Sequence, residues 1–284
     1  MQQEDARDYA TMRAEEHRLG GSQFARFLRL VRDAGDSVEF LENLRELIRP
    51  QKTFFGNIYT ELGKNVENFI IEEVLENHEE LQLNRFFDVQ KIGLSWDLFG
   101  DGKREISFGI TPDIFNPQTR EVIELKTKCP LVGIDGKLMH AARTRTPPRD
   151  HMVQAALYAI VLGSPCFPTL FYVSPGWKEE KEAVLRVVAD YYGREVKEAD
   201  CQQLREFLEP IWAWIRGIEE GERTVVPAAA VLGAEQAYSL LLGVFGQSRL
   251  QGAETCLLRP FVNEEGFIRE FPAEVLENFM AHKC

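Results

Sequence analysis

The stretch "TPDIFNPQTREVIELKTK", residues 111–128, places Asp113 behind a proline and then, beyond a turn, the triplet Glu124-Leu125-Lys126. Residues two apart on a strand face the same way, so Glu124 and Lys126 project side by side and Leu125 is buried on the opposite face. If 105–115 and 121–127 pair as a hairpin around "NPQT", Asp113 reaches the face of Glu124. Two carboxylates and a backbone carbonyl can then hold a hard divalent cation such as Mg²⁺, which prefers oxygen ligands. Such a cation polarises a phosphate oxygen and lowers the pKa of a bound water. Lys126 beside it can orient or deprotonate that water, its own pKa depressed by the cation and by burial. This is the chemistry of metal-assisted phosphodiester hydrolysis. The same stretch also reads as a solvated hairpin whose cross-strand ion pairs are each worth ~0–1 kcal/mol.

Neighbouring segments bear on that choice. "ELGKNVENF" puts Glu67 one helical turn after Gly63, where it can add an acid to the site or simply face solvent. "HMVQAALYA" carries Gln154 and Tyr158 at i and i+4 on one helix face. A glutamine among apolar residues needs a hydrogen-bond partner if buried; otherwise it is a surface residue beside a core tyrosine. Residues 137–150, "KLMHAARTRTPPRD", set Lys137, Arg143, Arg145 and Arg149 against the single acid Asp150. Lying between the strands and the Gln154 helix, this segment reads either as a DNA-backbone clamp stiffened by prolines or as a solvated basic loop.

These residues need a scaffold, and the patterning predicts one. Residues 1–50 read as mostly helical, with Phe24, Phe27, Leu28 and Val31 at helical spacing and a helix start at Gly20-Gly21-Ser22. A second helix is predicted over 58–77. Strands are predicted at about 85–92, 105–115, 121–127, 169–174 and 183–192. Between them lies an apolar helix ending at Gly163, and an amphipathic helix containing Pro210 follows. The expected class is α/β (α+β), with a central mixed sheet flanked by helices, a helical N-terminal segment and a C-terminal extension. One domain is expected over 1–224, with a helical segment at 1–50 and a catalytic core at 55–215; residues 225–284 form the extension, packed on that core.

With 284 residues, 44% hydrophobic and 27% charged, the chain has the composition of an ordinary globular protein. It has no apolar signal segment and no run near the roughly 18–20 apolar residues of a membrane helix, so a soluble, intracellular protein with no membrane partner is expected. Five scattered cysteines without a CxxC pair argue against a zinc or iron–sulfur site and suit a reducing compartment. The net charge of −12 opposes binding to a polyanion unless basic groups are concentrated locally.

In order along the chain, "HRLGGSQFARFL", "LGKNVEN", "TPDIF", "IELKTKCP", "HMVQAALYA" and "FYVSPGW" resemble the lambda exonuclease (YqaJ-type) branch of the PD-(D/E)xK nucleases, a group that includes viral alkaline nucleases. The resemblance spans about residues 15–215. It implies a restriction-endonuclease-like core and one or two Mg²⁺ or Mn²⁺ ions on Asp113, Glu124 and the Leu125 carbonyl. It further implies Lys126 as activator of the water, Glu67 as a direct or water-mediated ligand, and Gln154 in support. Arg18 corresponds to an arginine that grips a 5′-phosphate, a task suited to a guanidinium fork; Ser22 and Tyr158 are counted with it on the DNA-binding side. The implied activity is 5′-to-3′ exonuclease action on duplex DNA ends in phage or viral recombination. A single-strand-annealing protein is the implied partner and a trimer the implied assembly. The Gln154-to-Tyr158 spacing departs towards the RecB-type Q-x-x-x-Y pattern. Two alternatives stand beside this reading: an endonuclease or alkaline-nuclease-like enzyme that also cuts RNA, and an inactive nucleic-acid-binding module on the same scaffold.

Overall fold

The computed structural model describes residues 18–48, 58–75, 78–85, 87–88, 107–127, 147–178, 182–218, 224–246 and 267–270, together with Glu274. Strand β1 (Arg18–Gly20) leads into helices α1 (Gly21–Asp33), α2 (Ser37–Ile48) and α3 (Ile58–Phe69). The last of these runs on through one π-helical turn, Ile70–Val74. Then come β2 (Gln82–Leu83), β3 (Phe87–Asp88), β4 (Ser107–Ile110), β5 (Ile114–Asn116) and β6 (Glu121–Thr127). Helix α4 (Arg149–Leu162) precedes β7 (Phe167–Lys178) and β8 (Glu182–Tyr192), and α5 (Glu198–Gly217), α6 (Ala228–Val244) and β9 (Phe267–Glu270) complete the order.

The strands form a mixed six-stranded sheet in the order β2-β5-β6-β7-β8-β9 and a three-stranded sheet in the order β1-β4-β3. The protein is therefore a mixed α/β chain of the α+β kind. Strands β6 and β7 are parallel, and parallel neighbours need a crossover between them; α4 lies in that connection. It is buried along Val153–Ile160, as expected of a helix apolar on nearly every side. Gly163 ends it with φ +84°, its N–H bonded to the Ala159 and Ile160 carbonyls at 3.1 Å.

Phe24, Phe27, Leu28 and Val31 are all buried, as the spacing of α1 predicts. Phe27 stacks on Trp212 of α5 at 5.3 Å, and Phe40 of α2 packs on Trp214 at 4.7 Å. Helix α6, within the 225–284 region, packs against α5, α1 and α4. Among the described residues no helix is long and apolar enough to cross a membrane.

Three local expectations are corrected. The predicted strand 105–115 is two strands in two different sheets, because Thr111-Pro112-Asp113 interrupts it; proline has no N–H to give a ladder. Of the predicted strand 85–92, Arg85, Phe87 and Asp88 lie among the described residues, and the strand begins at Phe87, not at Arg85. Helix α1 begins at Gly21 with Gly20 as its N-cap, not at Ser22. Gln23 at the third position accepts the Gly20 N–H at 2.9 Å, the bond that the third-position side chain makes in a capping box.

Candidate metal centre

The β5–β6 hairpin is closed by a turn in which Asn116 Oδ1 accepts the N–H groups of Gln118 and Thr119 at 2.9 and 3.2 Å. Its register pairs Asn116 with Glu121 and Ile114 with Ile123, and there the ladder stops. Extending it would set Asp113 across from Glu124 and Pro112 across from Leu125. Pro112 has no N–H, so the Leu125 backbone is left for something else. Asp113 Oδ2 accepts the Leu125 N–H at 2.6 Å. The N–H and C=O of one residue in an antiparallel pair address the same neighbour, so the Leu125 carbonyl faces this same open edge. The proline of the Pro-Asp motif thus has a mechanical purpose: it ends the ladder one residue short of the acids.

Glu124 and Lys126 share the face of β6 that carries Val122, beneath α4, as period-two alternation requires. Glu124 is 2% exposed and Asp113 7%; a solvated hairpin would leave both open, so that reading of the stretch is discarded. Lys126 Nζ donates to Glu124 Oε1 at 2.5 Å. Gln154 Nε2, reaching down from α4, also donates to Glu124 Oε1, and it lies 3.0 Å from the Tyr158 hydroxyl. Gln154 and Tyr158 are both buried. Half-buried Glu67, on α3, meets Asp113 through a hydrogen bond between the two carboxyl groups.

The electrostatics follow from two buried acids and one half-buried acid around one base. Burial first, and then the Glu67 charge, push Asp113 up to about 8. Burial and the Asp113 charge push Glu124 up to about 8. Glu67 is raised by burial and by Glu124. For Lys126, burial disfavours the ammonium, but Glu124 and Asp113 outweigh it and hold the pKa above its usual value. The neighbouring carboxylates thus keep the proton on Nζ against the burial that disfavours it.

Among the described residues no three His, Cys, Asp or Glu side chains form a ready-made cation cage. Glu67 and Asp113 hold each other, and one oxygen of Glu124 is occupied by Lys126 and Gln154. The donor set nevertheless suits a hard cation. Glu124 Oε2 is buried with no hydrogen-bond partner, an arrangement that costs about 1–3 kcal/mol unless something else satisfies it. An oxygen-seeking divalent ion at the open edge would do so, with Asp113, Glu124, the Leu125 carbonyl and Glu67 as its ligands.

Asp113, Glu124, Lys126, Gln154 and Glu67 are therefore brought together. The remaining expected residues are scattered around them or lie outside. The Arg18 backbone is in β1, paired with Ser107 of β4, but its side chain lies outside the described residues. Lys137, Arg143 and Arg145 also lie outside them. Ser22 is exposed in the first turn of α1. Arg149 opens α4 and is exposed.

Two neighbours of the site escaped the sequence reading. Tyr172 of β7 lies opposite Lys126 in the parallel ladder, and its hydroxyl meets His151 Nδ1 at 2.8 Å. His151 stands three residues before Gln154, so the helical period alone could have placed it on that face. Gly21 is the second: a Cβ there would fall 2.0 Å from Tyr158 Cε1. No sequence pattern distinguishes that glycine from its neighbour Gly20.

No family model matches the chain, and no curated protein is significantly similar to it. Among solved structures it resembles one described as "Crystal structure of SSO0001", with 17% identity over 69% of this chain and 77% of that one and a TM-score of 0.36. A likeness that slight carries no argument about fold or function.

Proposed function

We propose that the chain is a divalent-metal-dependent nuclease that hydrolyses DNA phosphodiester bonds. The observation that carries this reading is the buried pair Asp113 and Glu124, joined by Lys126 at the open end of the β5–β6 ladder, with Glu124 Oε2 unsatisfied. On this reading β5, β6, β7 and α4 are the heart of a restriction-endonuclease-like core. The order of the sequence motifs further supports a 5′-to-3′ exonuclease acting on duplex ends, with an annealing protein as partner.

A bound divalent cation would supply Lewis-acid polarisation of a phosphate oxygen and a more acidic water. The chain's own residues do the rest. Glu124 on β6 and Asp113 just before β5 fix the ligand oxygens, and Asp113 is oriented by the Leu125 N–H. Gln154, backed by Tyr158, holds Glu124 Oε1 and leaves Oε2 without a partner. Lys126 Nζ positions the attacking water and neutralises charge on the phosphoryl oxygens as it builds up.

Digestion of end-labelled linear duplex bearing 5′-phosphate or 5′-hydroxyl ends, with Mg²⁺ and then with EDTA, tests the proposal. Mg²⁺-dependent release of nucleotides from 5′-phosphate ends is expected. Lys126→Ala should lower turnover by about 10²-fold or more. Cleavage that persists in EDTA, or a Lys126→Ala variant as active as the wild type, overturns the reading.

A further inference from the structure

Arg29 of α1 holds Asp150 in the first turn of α4 through two parallel hydrogen bonds of 2.6 and 2.8 Å. Beside this tie, α1, the start of α4 and α6 enclose a cleft of about 390 Å³, at the small end of the range for ligand pockets. Arg29, Arg32 and Arg149 line it against a single carboxylate, Glu235, with Tyr238 and Leu28 as aromatic and apolar wall. In a chain of net charge −12 this is a local concentration of guanidinium groups.

The three arginines differ in what they can offer. Arg29 is committed to Asp150 and also interacts with the Tyr238 hydroxyl. Arg32 pairs with its own sequence neighbour Asp33 at 2.6 Å, an exposed contact of a kind worth little and readily exchanged for a better anion. Arg149 forms no ion pair among the described residues. It stands five residues before Gln154, which touches Glu124. At about 1.5 Å and 100° per helical residue that is about 7.5 Å along α4 and about 140° around it, so the cleft and the metal centre lie on different sides of the start of α4. A cleft of this size admits one nucleotide and not a duplex, so its occupant must be unstacked from its neighbours.

We propose that this cleft seats one nucleotide of a single strand where it passes the start of α4, its phosphate on Arg149 and Arg32 and its base against Tyr238 and Leu28. Positive charge tracks the backbone and an aromatic side chain accepts the base, the combination by which single strands are held without sequence preference. The proposal rests on the nuclease reading above and adds to it a place for the strand.

The test is fluorescence anisotropy of labelled oligothymidylate binding to the full chain in EDTA, over a range of salt. Thymidine 5′-monophosphate serves as competitor, and melting temperatures show that each variant is folded. Arg149→Ala and Arg32→Ala should each weaken binding about tenfold and reduce the salt slope by about one. Glu235→Gln should tighten it, and Tyr238→Leu should weaken it with the slope unchanged. Displacement by the monophosphate that Arg149→Ala abolishes supports the site and marks it as one that also retains released product. Binding of the oligonucleotide alone supports it as a strand site. Arginine and Glu235→Gln variants that bind as the wild type does overturn the proposal, as does a wild type that binds no oligonucleotide. Failure of the nuclease reading shows separately, as oligonucleotide binding without Mg²⁺-dependent cleavage.

Discussion

Asp113 and Glu124 retain protons that a solvated carboxyl would lose, because burial and mutual repulsion favour the neutral form. Their folded pKa values, about 8, exceed the unfolded value of roughly 4. Groups raised in this way stabilise the fold fully below the unfolded pKa, and that contribution is lost as the pH rises through the folded one. The metal-free protein should therefore lose melting temperature between about pH 4 and 8. A divalent cation binds the deprotonated carboxylates, so the upward shift in melting temperature caused by Mg²⁺ should grow over the same window. Thermal melts with Mg²⁺ and with EDTA at pH 6 and pH 9 check this; an equal shift at both would show that the acids are not the ligands. Gly21 supplies a second prediction. Gly21→Ala must displace the Tyr158 ring, costing about 1–3 kcal/mol and loosening the Tyr158–Gln154–Glu124 chain. Gly20→Ala meets nothing nearer than 3.6 Å and should be close to neutral. Melting temperature and Mg²⁺ titration of the two variants should separate them; equal metal affinity in both would mean that Gln154 is held without Tyr158.

Helices reach the site because certain backbones approach closely and others are tied by charge. Helices α5 and α6 touch at Gly233, where a Cβ would meet the Phe207 carbonyl oxygen at 2.2 Å. A carbonyl inside a helix cannot swing aside. Gly233→Ala should therefore destabilise by about 1–3 kcal/mol. Gly243, also in α6, has open space where its Cβ would be. Gly243→Ala should instead stabilise by about 0.5–1 kcal/mol through helix propensity. Opposite shifts in denaturant midpoint are the expected outcome. The hydrophobic periods of α1 and α3 are plain in the sequence, since each follows from apolar spacing alone, and α4 shows as a continuous apolar run. The division of 105–115 between two sheets is not plain there. Its pattern is that of one strand, and the break depends on Pro112 meeting the end of a particular ladder.

Across the whole molecule, the described part of the 225–284 region is built into the rest. Helix α6 packs on α5, α1 and α4, and the chain leading into it is stitched to α2. The Thr224 carbonyl accepts the Ser37 N–H at 2.7 Å, and the Ser37 hydroxyl accepts the Thr224 N–H at 2.9 Å. Truncation after Thr224 would uncover Leu28 and the apolar sides of α4 and α5. The truncated chain should fail to give a cooperative melt by circular dichroism, whereas an independent C-terminal unit would leave residues 1–224 melting as before.

By itself the sequence determined which chemistry was available and most of the local elements. Pro-Asp, Glu-x-Lys and the glutamine-bearing helix name oxygen ligands, a base and a support, and period-two alternation already sets Glu124 beside Lys126. Tertiary structure decided what those groups become. Only the arrest of the β5–β6 ladder turns Asp113 onto the Leu125 N–H, and only α4 lying over β6 delivers Gln154 to Glu124. Burial then raises both acids and leaves one carboxylate oxygen unsatisfied. Net charge behaves in the same way: a total of −12 is a property of composition, but the gathering of Arg29 and Arg32 with Arg149 around one cleft comes from two helices distant in sequence. Spacing along a chain specifies which face a residue occupies. Desolvation and convergence depend on what packs against that face, and the packing exists only once the chain has folded.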